Sequence, residues 1–401
     1  MGLTRVAMHK RQHESGAVSL FLVIFAMLLI TVVTLSFIRI MVSDQSQASV
    51  ADLSQSALDS AQSGTEDAKR ALIYYRTLCN NGDPSCASEA NIINSDTCNA
   101  GLAGVVDGSA PNQEQLIQQS QSDSDPALNL NQAYTCVKMS LNTDDYLGTL
   151  AADTSKIIPL KGTSDFDSVT IQWYLPSDLG TTATTLQKMV SDSATTKPLY
   201  LQTNWASNTP SLLRAQVMQF GSSFTLSDFD SSNTTNSDTN TLFLYPTGPT
   251  PAGSARTVNT TIAIAGQDIR KTATGSVQPV RCSGNLSGGG YACSVTLTLP
   301  EAVGETDTTR TAYLRLTPFY NATHFRVTLS DAATPVEFSA VQPSIDSTGR
   351  ANNQYRRTET RVDLTNTNFA FPDAAVDISG NLCKDFVVTD DVNDYVNSCT
   401  P

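Results

Sequence analysis

Residues 17–38 read AVSLFLVIFAMLLITVVTLSFI, and the rest of the chain is read outward from them. The stretch contains neither a charge nor a proline. At about 1.5 Å per residue, a helix of this length is roughly 33 Å long, enough to cross a hydrocarbon core of about 30 Å. The expectation is one membrane-spanning helix over residues 17–42, preceded by a cytoplasmic leader over residues 1–16.

Charge sets the orientation. The chain has 401 residues and a formal net charge of −13. Before Ala17 stand Arg5, Lys10 and Arg11 against Glu14, so the remainder carries −15. Basic residues stay inside, which puts the acidic bulk outside the membrane. An acidic exported region argues against nucleic acid as a partner. More than 300 residues follow the apolar segment, enough for one large or two smaller cores.

All eight cysteines lie on the acidic side: Cys79, Cys86, Cys98, Cys136, Cys282, Cys293, Cys383 and Cys399. An even number in an exported region reads as disulfides. Spacing suggests Cys282–Cys293 and Cys383–Cys399 as local pairs. The first four can pair in three ways, and the sequence does not choose. Zinc is disfavoured because histidine is scarce and no CxxC occurs.

The apolar core is longer than a secretory signal, and no A-x-A-like cleavage site follows it. A plain reading is an uncleaved single-span anchor. The junction allows a sharper one. The basic leader RVAMHKRQHESG ends in Gly16, and the helix begins at Ala17. This arrangement resembles the leader of type IV prepilins, which implies cleavage between Gly16 and Ala17 by a prepilin peptidase.

Beyond the membrane the helical pattern continues over residues 43–78. Leu53, Ala57, Ala61, Gly64, Ala68, Ala71 and Tyr75 recur at steps of three and four. That is an amphipathic stem with a narrow, small-residue face, which lets another backbone come close. Gly64 is a weak point, costing about 1 kcal/mol relative to alanine.

The run Ala61, Gly64, Glu66, Ala68, Ala71, Leu72 fits the pattern A-x-x-G-x-E-x-A-x-x-A-L. Together with the membrane helix, it resembles the N-terminal region of PilX-type minor pilins. The resemblance covers residues 10–80. It implies an assembly helix, other pilin subunits and the pilus assembly machinery as partners, and incorporation into a surface pilus. Most pilins carry a glutamate at the fifth mature position, where this chain has Phe21. The helix-softening proline of major pilins is also absent. By analogy with the tip pseudopilin of type II secretion, the departure implies a tip or priming subunit.

Residues 79–165 read as a loop-rich, polar, cysteine-stapled region, with some helix near Asn112–Ser120. From residue 166 to 401 the period becomes two. Val169, Ile171 and Trp173 alternate with Thr170, Gln172 and Tyr174, and the pattern recurs at 295–299, 313–316 and 324–329. Gly, Pro, Asn and Asp clusters punctuate these strands. The fold class expected is α+β: a long N-terminal helix followed by a β-rich, antiparallel, sandwich-like and disulfide-stapled extracytoplasmic head.

Within that head, Cys282 to Cys293 reads as a clipped hairpin with a glycine-rich turn. SIDSTGR (residues 344–350) reads as a second turn. Arg356, Arg357 and Arg361 read as an exposed face paired with carboxylates. The span from Cys383 to Cys399 reads as a closed terminal loop, a feature common in pilins. Its Asp390, Asp391, Asn393 and Asp394 offer oxygens to Ca²⁺, but without an EF-hand pattern a solvated loop is the plainer reading.

No catalytic site emerges. His9 and His13 lie in the leader, which leaves His324 alone in the head. That removes most schemes built on a histidine base. No G-x-S-x-G, H-E-x-x-H or Walker A pattern occurs. The expectation is a non-enzyme without cofactor or metal. Two rivals stay open: a single-pass surface protein or adhesin unrelated to pili, and a carboxylate-based hydrolase. Sequons occur at Asn233, Asn259, Asn285 and Asn321.

Overall fold

The computed structural model describes residues 16–117, 131–180, 186, 190–191, 197, 199–220, 239–248, 259–264, 267, 269, 277–304 and 311–364. It begins with α1, Gly16–Asn80, a single helix of 65 residues and roughly 98 Å. The helix passes through Gly64 without a break and ends two residues beyond the expected Leu78. Gly82, at φ 68°, takes the left-handed conformation that stops a helix. Pro84 follows and prevents its resumption. A short helix, α2, spans Cys86–Ile93.

Fifteen strands follow among the described residues. They are β1 (Gln115–Leu116), β2 (Gln132–Thr143), β3 (Tyr146–Leu150), β4 (Lys156–Leu160), β5 (Phe166–Trp173), β6 (Leu212–Phe220), β7 (Thr239–Thr247) and β8 (Thr260–Ala263). Then come β9 (Gln278–Arg281), β10 (Cys293–Val303), β11 (Thr311–Phe319), β12 (Thr323–Asp331), β13 (Thr334–Val336), β14 (Phe338–Ala351) and β15 (Gln354–Arg361). The architecture is α+β.

The chain forms two compact units. Unit 1 comprises residues 1–74, 95–138 and 345–360. It contains most of α1 and parts of the strands of a four-stranded sheet in the order β1-β2-β14-β15. β1 and β2 are antiparallel, with Gln115 opposite Tyr134.

Unit 2 comprises residues 75–94, 139–344 and 361–401, and so interrupts unit 1 in sequence. One of its sheets runs β13-β12-β5-β10-β8, with β3 also pairing β12. The other runs β4-β11-β6-β7-β9. One core draws on both sheets, with Ile171, Trp173, Leu297 and Val327 from the first and Ile158, Val217, Leu244 and Leu314 from the second. The alternation read from the sequence at 169–173, 295–299, 314–316 and 325–329 supplies five of these side chains, and Ile158, Val217 and Leu244 come from β4, β6 and β7.

Several expectations need correction. The span 79–165 is not simply loop-rich, since it holds α2 and β1 to β4. In β2, Val137, Met139 and Leu141 are buried while Lys138, Ser140 and Asn142 are half-buried, a period of two that begins well before residue 166. The helix expected near Asn112–Ser120 is absent from its described part, where β1 lies.

The Cys282–Cys293 segment is not a hairpin. β9 pairs with β7 and β10 with β5 and β8, so the disulfide joins the ends of strands in different sheets. SIDSTGR is not a turn but the second half of β14. The turn is Asn352–Asn353, with Asn352 at φ 49°. Nor are the sheets wholly antiparallel: β8–β10 and β7–β9 are parallel pairs. Parallel neighbours need a crossover. The chain provides it by alternating between the sheets from β7 to β10.

Candidate functional site

The sequence directs attention to α1, whose two halves are built on different principles. From Leu20 to Val50 every side chain is exposed, including Phe21 at 73 %. The hydroxyls in this half turn back onto the helix. Thr31 donates to the Met27 carbonyl, Thr34 to Ile30 and Ser36 to Val32, at 2.7–2.8 Å. Between Leu20 and Ile38 the exposed surface is therefore apolar even where the sequence is not, as a hydrocarbon solvent requires. By length and composition the helix suffices to cross a membrane. Gly16 and Ala17 are its first two residues, and the rest of the leader, residues 1–15, lies outside the described part.

The second half is sequence-polar, yet it buries a stripe. Ala57, Ala61, Ala68, Ala71 and Leu72 have no exposed surface, and Gly64 is buried with them. Leu53 and Tyr75 are half-buried, and burial raises the Tyr75 pKa. Glu66, also in the pattern, is exposed and accepts from Lys69 Nζ at 2.6 Å.

The seat of this stripe is β14. A Cβ on Gly349 would run into the Ala57 carbonyl oxygen and the Ala61 nitrogen. A Cβ on Gly64 would come within 2.6 Å of Ser347 Oγ and 2.8 Å of Val137 Cγ2. Real Cβ contacts are longer, so glycine on both sides lets helix backbone approach strand backbone. Ser347 and Gly349 face the helix on alternate positions of β14. Polar contacts fix the register. Tyr134 Oη donates to Asp67 at 2.9 Å, Thr65 and Thr358 share a hydroxyl contact of 3.3 Å, and Arg356 Nε donates to Ser54 Oγ at 2.7 Å. Burial, followed by the Asp67 carboxylate, pushes the Tyr134 phenol well above its usual range.

Sequence reasoning missed Ser60 and Thr65, both buried on the same stripe, because polarity was taken to mean exposure. It also missed Gly349. A Ser, Asp, Thr and Gly run signals a turn in isolation, whereas here the small residues leave room for a helix. Asn99 was missed as well. It is buried at φ 62°, donates through Nδ2 to the Gln113 carbonyl at 2.6 Å and accepts from Val137 N at 2.7 Å. The Cys98–Cys136 disulfide fastens that loop to β2.

The remaining cysteine pairs are Cys79–Cys86, which joins the end of α1 to the start of α2, and Cys282–Cys293. Cys383, Cys399 and the residues 390–394 lie outside the described part. Two of the β15 arginines meet carboxylates, as expected. Arg357 forks onto Asp346 with two contacts of 2.6 Å, and Arg361 lies 3.3 Å from Asp145.

Unit 2 contains the His324 cluster. Its Nδ1 is bonded to Asp178, whose other oxygen accepts from the backbone nitrogens of Leu175 and His324. Ser177 Oγ reaches the same ring nitrogen, at 3.5 Å. A relay needs nucleophile and carboxylate on opposite nitrogens, so this cluster braces a turn. Trp205 stacks on Tyr320 at 4.2 Å beside a pocket of about 280 Å³ lined by Leu199, Leu212, Phe243, Phe319, Asp153 and Gln202. A groove of about 770 Å³, of mixed polar and apolar lining, lies over β5, β10 and β12. Each cavity has a single carboxylate in its lining, Asp153 or Asp144.

No cluster of metal-binding side chains occurs among the described residues. Of the sequons, Asn233 lies outside the described part. Asn321 Nδ2 donates to the Ala206 and Thr209 carbonyls, so its amide serves the fold. No family model, curated protein or solved structure matches the chain.

Proposed function

We propose that the chain is a membrane-anchored minor pilin or pseudopilin-like subunit with a tip or priming role in a type IV pilus or related filament. The observation that carries this reading is the division of α1. Its apolar half is exposed throughout, and its polar half is held on β14 by small residues. A free apolar rod rising from a fixed stem can lie in a bilayer and then pack against other such rods. The resemblance around Gly16 and over residues 61–72 supports the same reading. Phe21, in place of the usual glutamate, favours an end position over a repeating one. On this reading, unit 2 is an extracytoplasmic β-sandwich carried outward by the stem, and it makes the contacts outside the cell.

The test is deletion of the gene with imaging of surface filaments. Loss or marked reduction of pili, restored by the intact gene, is the expected outcome. Unchanged piliation and motility would overturn the assembly role and favour a single-span surface protein.

A further inference from the structure

The outer face of the six-stranded sheet in unit 2 carries an ordered lattice of hydroxyls. One cross-strand row runs Thr261, Thr296, Thr170, Thr328. The next runs Ala263, Thr298, Ser168, Ser330, Pro335. A third runs Ser294, Gln172, Arg326. Eight of these twelve positions are serine or threonine, so the face offers closely spaced hydroxyls set among the small apolar surfaces of Ala333 and Pro335. The opposite side of the same strands is core, with Val169, Ile171, Leu297 and Val327 fully buried. Burial of that side explains why the strands form. The β-branch of threonine suits an exposed strand face, but serine, which lacks that branch, stands at Ser168, Ser294 and Ser330.

The face is concave and bounds the groove of about 770 Å³. Its one cation, Arg326, is held by Asp145 at 2.8 Å. Some hydroxyls are already oriented. Thr170 and Thr296 lie 2.7 Å apart, Asn259 Nδ2 donates to Thr296 at 2.8 Å, and Ser294 donates to Asn259 at 2.9 Å. A hydroxyl has one donor and two acceptor sites, so each retains capacity after such a contact. Spacing is set by the sheet: about 4.8 Å between strands and about 6.7 Å between rows.

These properties select a ligand class by chemistry. An anion finds no free cation in the rows, and a cation finds no paired carboxylates. An apolar peptide would have to cover the hydroxyls of Ser168, Thr170, Thr296 and Thr328, which interrupt the floor. A neutral, extended, polyhydroxylated chain presents both donors and acceptors at close intervals and needs no counter-charge. We propose that this groove binds a neutral polysaccharide. The proposal concerns unit 2 alone and does not depend on the pilin reading.

The full chain in detergent micelles is titrated with cellohexaose, maltohexaose and mannohexaose, and with oligogalacturonate as a charged control. Saturation-transfer NMR and calorimetry read the binding. At least one neutral hexaose binds with millimolar affinity or tighter, and oligogalacturonate binds more weakly. Thr170→Lys, Thr328→Lys and Ser330→Lys, each made separately and checked for native circular dichroism, lower that affinity about tenfold or more. Leu199→Ser, at the apolar pocket, leaves it unchanged. Absence of binding by all three neutral hexaoses overturns the proposal. So does stronger binding of oligogalacturonate, or undiminished affinity in every lysine variant that folds.

Discussion

The two halves of α1 invert the usual relation between sequence and burial. Residues 20–42 are almost all apolar and exposed, whereas residues 57–72 are rich in Ala, Ser and charged residues and carry the buried stripe. Area-driven burial does not hold the second half, because alanine and glycine have little surface to bury. Close approach of backbones holds it, made possible by Gly64 and Gly349. The first half has the area and, among the described residues, nothing to bury it against. The comparison teaches that the two ends of α1 suit different surroundings on the proposed reading. One end fits a sheet of its own chain, and the other fits hydrocarbon or its equivalent in neighbouring apolar helices.

The comparison can be broken most severely on the stem side. Replacing Cys98 and Cys136 together with serine opens a loop with a sequence separation of 38. The expected loss is about 4 kcal/mol in urea denaturation of the full chain in detergent. Gly349→Val drives a side chain into the Ala57–Ala61 backbone and costs about 3 kcal/mol. On the membrane side, Val32→Arg costs about 3 kcal/mol of insertion, read by fractionation or a glycosylation-mapping assay. That variant leaves the urea midpoint unchanged. A shift there would mean that the two halves are not independent.

Smaller changes sharpen the picture. Gly64→Ala gains about 1 kcal/mol in helix propensity and loses about 2 kcal/mol to overpacking against Ser347 and Val137. The net is a destabilisation of about 1 kcal/mol, opposite in sign to what propensity alone predicts. The raised pKa of Tyr134 gives a pH signature. The folded state keeps the phenolic proton that the unfolded chain releases near pH ~10. Stability from this group is thus complete below that pH and falls above it, by up to about 1.4 kcal/mol per pH unit. Tyr134→Phe removes that part of the alkaline slope. The smallest effect is Ser347→Ala. Ser347 Oγ is buried without a hydrogen-bond partner, so its loss is neutral or stabilising by less than about 1 kcal/mol.

Much of this was legible in the sequence. The period of 3.6 marked Leu53, Ala57, Ala61, Gly64, Ala68, Ala71 and Tyr75 as one face, and its five middle members are buried while Leu53 and Tyr75 are half-buried. The period of two marked β5, β10, β11 and β12. What faces the stripe was not legible, because residues 347 and 349 are distant in sequence and their smallness imitates a turn. Pairing of the first four cysteines was beyond reach for a related reason. Cys98 and Cys136 are joined through a fold in which Asn99 and β2 meet, and no local signal encodes that meeting. The interruption of unit 1 by unit 2 was equally hidden. Composition changes little at residues 139 and 344, since β2 and β14 run through both points as continuous strands.

The central claim is that α1 begins as a processed pilin-like stem. The most direct measurement is the N-terminus of the protein recovered from membranes of its own cell, by Edman sequencing and intact mass. A mature chain starting at Ala17 is the predicted result. A chain retaining Met1 and the whole leader would contradict it.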